Sequence, residues 1–360
     1  MNQRVQLQRA ALLALAMATA VLVFAKPQVC AQALQQGLQL CGGPLLVSLF
    51  PFLIVSTLLM RCGAGRLLGI VLRPTARLIG VHSPGAGGVL LVGLLGGFAP
   101  AAAAAAEAVR TGDLRAEEAS ALLPACICSA PSFVVLTVGE QLLGSRALGV
   151  RLFAAQVLAG CLTAALLNRL PRPSAGHDAC SVRPAAPPPK LDAVIAQAAE
   201  TYLRLCGFVL YFRLLAAGFA AGRTGVAAAL PAMLLEVCSG CDYAARTGLW
   251  ASSLCCAALS LQGLSVLLQV RTICPPEISL RPLLMGRALH LPLSLAAFWL
   301  LLPEQQAAET FCTLCTRVVP MRRVPLDCAA LVFLGCCAAA CELCRLCQPE
   351  ESRKTLTVPR

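Results

Sequence analysis

Apolar stretches at about 10–25, 44–60, 85–106, 119–138, 147–168, 203–222, 224–243, 249–270, 283–302 and 325–343 alternate with short polar joints. Most are long enough to cross a hydrocarbon core of roughly 30 Å, so the pattern predicts an all-α, multi-pass membrane protein. Two stretches break the rule. Segment 85–106 holds Gly85, Gly87, Gly88, Gly93, Gly96, Gly97 and Pro100; segment 224–243 holds Gly225, Pro231, Gly240 and a lone acid, Glu236. Such sequences make poor continuous spans and suit re-entrant hairpins, whose irregular backbone is buried in protein or lines a cavity.

The charges test that reading. With both segments re-entrant and the N-terminus cytoplasmic, 19 Lys and Arg fall in inside loops (Arg287 counted among them) and 8 outside. Treating both as full spans gives 16 against 11. The positive-inside bias favours the hairpins. The stretch Arg61–Val81 is basic and amphipathic, as expected of a segment lying on the cytoplasmic surface.

The two halves repeat. Ala108-Val109-Arg110-Thr111-Gly112 returns 136 residues later as Ala244-Ala245-Arg246-Thr247-Gly248. Each copy follows a Gly/Pro-rich hairpin. Each precedes an apolar run that is interrupted, at Cys128-Ser129-Ala130-Pro131-Ser132-Phe133 in the first half and at Gln262-Gly263-Leu264-Ser265-Val266 in the second. The single span 203–222 puts the second hairpin on the other side, so the repeats have inverted topology. Inverted repeats with discontinuous helices are the architecture of secondary transporters, with a site near the midplane.

Composition adds two constraints. At 58% hydrophobic, 13% charged and a mean hydropathy of +0.77 the chain cannot clothe a soluble surface, which argues against a soluble enzyme or a nucleic-acid-binding domain. The net charge of +12 is explained by topology-setting arginines rather than by a polyanion partner. The 21 cysteines lie mostly inside apolar runs and read as reduced, structural residues. The pairs Cys238–Cys241 and Cys312–Cys315 and the run Cys341, Cys344, Cys347 are weak metal signals in so Cys-rich a chain, and the scattered His82, His177 and His290 form no zinc pattern. His290 is expected to cap the start of a span. Neither a metal nor a cofactor is expected.

The organisation follows. Residues 1–43 form an uncleaved N-terminal span (a signal-anchor, though Ala31-Gln32-Ala33 resembles a cleavage site) and an outer loop. Residues 44–170 are the first repeat, 171–192 a Pro-rich cytoplasmic linker, 193–302 the second repeat, and 303–360 a last span and charged tail.

A broken helix leaves N–H groups of one half-helix unpaired, which favours an anion. The candidate ligands are Gly97, Ser129, Pro131 and Ser132 in the first half and Gly263, Ser265 and Gln269 in the second, against the plainer alternative that Ser and Gly permit close helix packing. Two charges have no loop to belong to. Glu236 is a candidate for binding a coupling H⁺ or Na⁺, and Arg213 is its expected partner or a contact for an anionic solute. No G-x-x-x-x-G-K-[ST], H-E-x-x-H or G-x-S-x-G motif occurs, so no nucleotide hydrolysis or common hydrolase chemistry is expected.

Several of these motifs resemble a known family. Phe50-Pro51-Phe52-Leu53-Ile54, Gly96-Gly97-Phe98-Ala99-Pro100, Gly112-Asp113-Leu114 and Ser129-Ala130-Pro131-Ser132-Phe133 resemble the nucleoside-recognition, or gate, domain. Leu235-Glu236-Val237-Cys238-Ser239-Gly240 and Gly263–Val270 are similar to the sporulation integral membrane proteins of the YlbJ type. The resemblance covers about residues 44–302. It implies a design related to concentrative nucleoside transporters, a place in the membrane of endospore-forming bacteria (the outer forespore membrane), and a small anionic cargo such as dipicolinate. A nucleoside carrier and a non-transporting assembly or gating subunit of the spore envelope are the alternatives. The chain departs from the family where Ile127, Cys128 and Ala130 replace more polar residues, which makes the first half-site less polar than the family pattern implies.

Overall fold

The computed structural model describes residues 3–169 and 190–302. Most of the linker, His177, the 325–343 span, the tail and the cysteines from Cys312 onward lie outside the described residues.

Every regular element among the described residues is helical. Helix α1 (Gln3–Ala25) exposes apolar side chains such as Leu12 and Phe24. The chain turns by 106° at Lys26, and Pro27 opens α2 (Pro27–Leu40), where its missing N–H costs nothing. Residues 27–40, expected as an outer loop, are thus helical. A π-turn kinked at Gly43 leads to α3 (Leu46–Arg61). Helix α4 (Ala64–Leu68), a 3-10 turn (Gly69–Leu72) and α5 (Arg73–Ile79) then run at 96° to α3, with Leu67, Ile70, Val71, Leu78 and Arg77 exposed.

Helices α6 (Ala86–Gly96) and α7 (Phe98–Arg110) form the first hairpin. Its base closes where Gly85 N–H donates to the Asp113 carbonyl at 3.1 Å. Helix α8 (Ala116–Cys126) is separated by four irregular residues, 127–130, from Pro131 and a π-helix (Ser132–Leu142), and α9 (Arg146–Arg169) follows. After the linker come α10 (Leu191–Ala220), then α11 (Val226–Leu235) and α12 (Val237–Ala245) as the second hairpin. A Cβ on Gly240 would lie 2.8 Å from the Met233 Cα, so the two legs of this hairpin touch backbone to backbone. Helices α13 (Ala251–Leu261) and α14 (Gly263–Ile273) form one interrupted run, and α15 (Arg281–Leu301) ends the described chain. Among the described residues, α9, α10, the α13–α14 run and α15 are long and apolar enough to cross a membrane, four in all, or up to six if each of the bent pairs α1–α2 and α3–α5 is one span. The chain is therefore an all-α, multi-pass membrane protein.

The hairpins enter from opposite ends. Val109, Arg110 and Gly112 at the base of the first line an open vestibule with the Gln197–Leu205 half of α10 and the end of α14. Helix α10 then runs the length of the bundle before the second hairpin begins, so that hairpin's base lies at the far end. The repeated joint has one local structure in both halves. Thr111 Oγ1 donates to the Ala108 carbonyl and Thr247 Oγ1 to that of Ala244, and Gly112 and Gly248 both take positive φ (77° and 66°), a conformation glycine adopts without strain.

Candidate functional site

Four interruptions of the helices meet in the middle of the bundle. The first is Gly97, at φ 83°, ψ −167°, between α6 and α7. The second is Ile127–Pro131, where Pro131 forces the preceding residue out of the helical region and opens the next helix. The third is Glu236, extended at φ −153°, between α11 and α12. The fourth is Gln262–Gly263, both at positive φ (60° and 73°). Gln262 is the one non-glycine residue with positive φ among those described, a strained conformation held by its surroundings.

The breaks touch one another. A Cβ on Gly97 would lie 2.7 Å from the Ala130 nitrogen, and one on Gly263 would lie 2.7 Å from the Glu236 nitrogen. Gln262 Nε2 donates to the Ile127 carbonyl at 3.1 Å, joining the two broken helices across the repeat.

Two buried charges flank this junction. Glu236 is 1% exposed. Its carboxylate caps α12, accepting the N–H of Cys238 (2.7 Å, Oε1), the N–H of Ser239 (2.6 Å, Oε2) and the Ser239 hydroxyl (2.8 Å, Oε2). The positive end of α12 and these donors stabilise the anion. Arg213 is not its partner. The Arg213 guanidinium donates to Gln36 Oε1 on α2 (3.0 Å) and to Asp242 (3.4 Å), and Asp242 also holds Arg246 at 2.9 Å. The expected Glu236–Arg213 pair is thereby corrected: the helix N-terminus already satisfies the carboxylate, and Asp242 is the acid that faces Arg213.

The cation at the junction is Arg287, expected in a loop but 8% exposed in the second turn of α15. It donates to the Ile127 carbonyl (3.1 Å), the Ser260 carbonyl (3.1 Å) and Gln262 Oε1 (2.6 Å). The carbonyl ends of α8 and α13 are the negative ends of two half-helices, and the planar guanidinium forks between them as a lysine cannot. Removing Arg287 from the inside loops leaves 18 cations there and keeps the orientation.

His290 is also misplaced by the sequence reading. It lies inside α15, buried, with Nε2 3.2 Å from the Gln156 carbonyl. Gln156 Nε2 donates to the Cys256 carbonyl and to Ser260 Oγ, both at 3.2 Å, and Ser260 bonds Ser294. This polar seam ties α9, α13 and α15 together behind the junction. The signal for it was present in the sequence: Arg287, His290 and Ser294 recur at spacings of three and four, one helical face.

The named candidates separate into two groups. Glu236 and Gln269 line a closed cavity of about 30 Å³ with Leu45, Leu49, Phe98, Tyr202, Leu205, Cys206, Val209 and Val266. Ser265 stands behind Gln269, accepting its Nε2 at 2.9 Å, and Gly263 abuts Glu236. Gly97 packs at the first break, next to Phe98. Ser129, Pro131 and Ser132 line neither the cavity nor the vestibule, because Arg287 and Gln262 take up the first break from behind. In this conformation these three stay outside both spaces. The sequence reading passed over Tyr202 and Cys206, which line the cavity from α10.

The vestibule is large, about 960 Å³, and its rim carries Arg61, Arg110, Arg115 and Arg204 with Glu107, Glu117, Glu200 and Glu277. Arg61 bonds Glu107 (3.0 Å) and Gln197 (3.1 Å), linking α3, α7 and α10. Leu205 lines both the vestibule and the small cavity.

The described cysteines are free, and no group of three or more His, Cys, Asp or Glu among the described residues is arranged to hold a metal. No family model matches the chain, and no curated protein and no solved structure is significantly similar to it.

Proposed function

We propose that the chain is a secondary carrier, not an enzyme, that moves a small anionic solute across a bacterial membrane by alternating access, with coupling to H⁺ or Na⁺. One observation supports this above the others: breaks from the two halves converge on a buried carboxylate beside a small cavity that shares the lining residue Leu205 with an open vestibule. Two hairpins meeting at such a junction are the elements whose rearrangement would give a carrier its two access states. By the positive-inside count the vestibule faces the cytoplasm. The cargo rests on the YlbJ-type resemblance, which suggests dipicolinate during spore formation, in the mother-cell-derived outer forespore membrane, with a nucleoside-like solute as the alternative.

A second reading also has an observation in its favour. The cavity of about 30 Å³ has room for a water or two and not for a dicarboxylate, so this conformation is closed at the midplane. A gating or assembly subunit of the spore envelope would be filled in that way permanently.

Uptake separates the two. Vesicles carrying the protein are expected to accumulate labelled dipicolinate, or failing that a nucleoside, under an imposed H⁺ or Na⁺ gradient. Uptake of neither sinks the carrier reading and leaves the subunit. In an active preparation Glu236→Gln is expected to abolish gradient-driven uptake and Ser265→Ala to reduce it several-fold, with normal amounts of folded protein. Leu205→Ala is expected to raise several-fold the rate at which a maleimide labels Cys206 and Cys238, followed by mass spectrometry. An unchanged rate means Leu205 does not separate the cavity from the vestibule.

A further inference from the structure

We infer that Glu236 and Gln269 form a proton-binding site, in which the protonated carboxyl of Glu236 donates to the amide oxygen of Gln269, directly or through one water. The inference rests on the carrier reading only for the purpose of the proton, namely coupling; the site stands on its own geometry.

Three observations carry it. The first is an orphaned acceptor. Gln269 is 1% exposed, and its Nε2 is committed to Ser265 Oγ at 2.9 Å, which pins the amide. Its Oε1 is buried and has no hydrogen-bond partner. A buried acceptor without a donor is costly, on the scale of a lost hydrogen bond, and a site of this kind signals a missing donor. The second is the cavity the two residues share, whose volume of about 30 Å³ admits a water or a proton-bearing group. The third is the asymmetry of the carboxylate. Oε2 accepts two donors from Ser239, whereas Oε1 accepts one N–H, that of Cys238, whose thiol also lies against the carboxylate. Oε1 is the less committed of the two oxygens.

The rest of the lining decides between a proton and a metal cation. The apolar side chains of the lining supply no oxygen ligand, Cys206 and Cys238 offer thiols, and Tyr202 turns its hydroxyl to the Cys41 carbonyl. A bare alkali cation in such a pocket would lack most of its coordination shell, and a proton needs only one donor–acceptor pair. In the step itself a hydronium from the vestibule gives its proton to Oε1. An Oε1 lone pair makes the new O–H bond, and the hydronium leaves as water. The site then carries no charge, and α12 loses the anion that caps it.

Other titratable groups stand nearby. They are Cys238 and Cys241 on the same hairpin, Cys41 before α3, Tyr202 and Cys206 on α10, and Cys255 behind Cys241. All are thiols or a phenol, which carry no charge when protonated. The nearby charges are Arg213 on α10 and Asp242 on α12, which pair with each other, and Arg287 on α15, which is committed to the Ile127 and Ser260 carbonyls and to Gln262 Oε1; α14 brings no charge before Arg271.

Infrared titration of the full-length protein in lipid tests the site without any cargo. Acidification is expected to raise a carboxylic C=O band that is absent in Glu236→Gln. In Gln269→Leu the band should persist, shift toward the frequency of an unbonded carboxyl, and titrate about one pH unit lower, because the protonated form has lost its acceptor. A band that survives in Glu236→Gln, or a Gln269→Leu midpoint that does not move, overturns the proposal. So does a midpoint that falls as Na⁺ is added at constant ionic strength, since that marks a sodium site. If the titration behaves as expected and no gradient drives uptake of any tested solute, the proton site stands and the carrier reading falls.

Discussion

Arg287→Met is expected to destabilise the folded protein by about 2–4 kcal/mol, read as a loss of thermal and detergent resistance. The methionine fills much of the same volume, so the cost comes from the donors it lacks. The Ser260 carbonyl and Gln262 Oε1 lose a charged partner in a buried site, and the Ile127 carbonyl keeps only Gln262 Nε2. The negative ends of α8 and α13 would then face each other uncompensated. Arg287→Lys should fall between, because a single ammonium cannot fork to three acceptors on two helices. A variant as stable as the parent would mean that the two half-helices are held together by packing alone.

Gly263→Ala is expected to have an effect of similar size and to act on the site directly. Its backbone at φ 73° costs an alanine about 1–2 kcal/mol. The new methyl would also meet the Glu236 nitrogen at 2.7 Å and the Leu235 carbonyl carbon at 2.8 Å, backbone atoms with no room to yield, for roughly another 1–3 kcal/mol. The tip of the second hairpin must shift, so uptake should be lost even where folded protein is recovered. Gly207→Ala is the matched control. It lies within α10 with nothing inside 4 Å of the added methyl, and should be neutral or slightly stabilising. Equal behaviour of the two variants would dissociate the close approach at Gly263 from function.

Much of the architecture was legible because it depends on local properties. Gly96-Gly97 with Pro100, and Gly225 with Pro231, cannot sustain a continuous apolar span, and both segments fold as hairpins. Pro131 and Gln262-Gly263 mark the other two breaks. The repeated Ala-x-Arg-Thr-Gly joint forms the same turn twice because a threonine hydroxyl reaching back three residues and a glycine at positive φ are specified within five residues. Helix α2 was missed because its glutamines, Gln28, Gln32, Gln35, Gln36 and Gln39, read as polar loop; Gln36 and Gly37 instead pack on Arg213 and Leu210 of α10.

The charges divide differently. From the sequence alone, low charge and long apolar runs set the membrane environment, and Gly and Pro set where its helices break. Both follow from hydration and backbone sterics, which act within a turn or two of the chain. Which buried charge answers which was settled only by the tertiary structure. Glu236 needs no arginine because the N-terminus of α12 supplies its donors, and Arg287 needs no acid because two helix ends 133 residues apart supply its acceptors. Backbone N–H and C=O groups occur at every residue, so they leave no mark in the sequence to show that they will serve as counter-charges. That depends on where the helices stop and which of their ends the fold brings together.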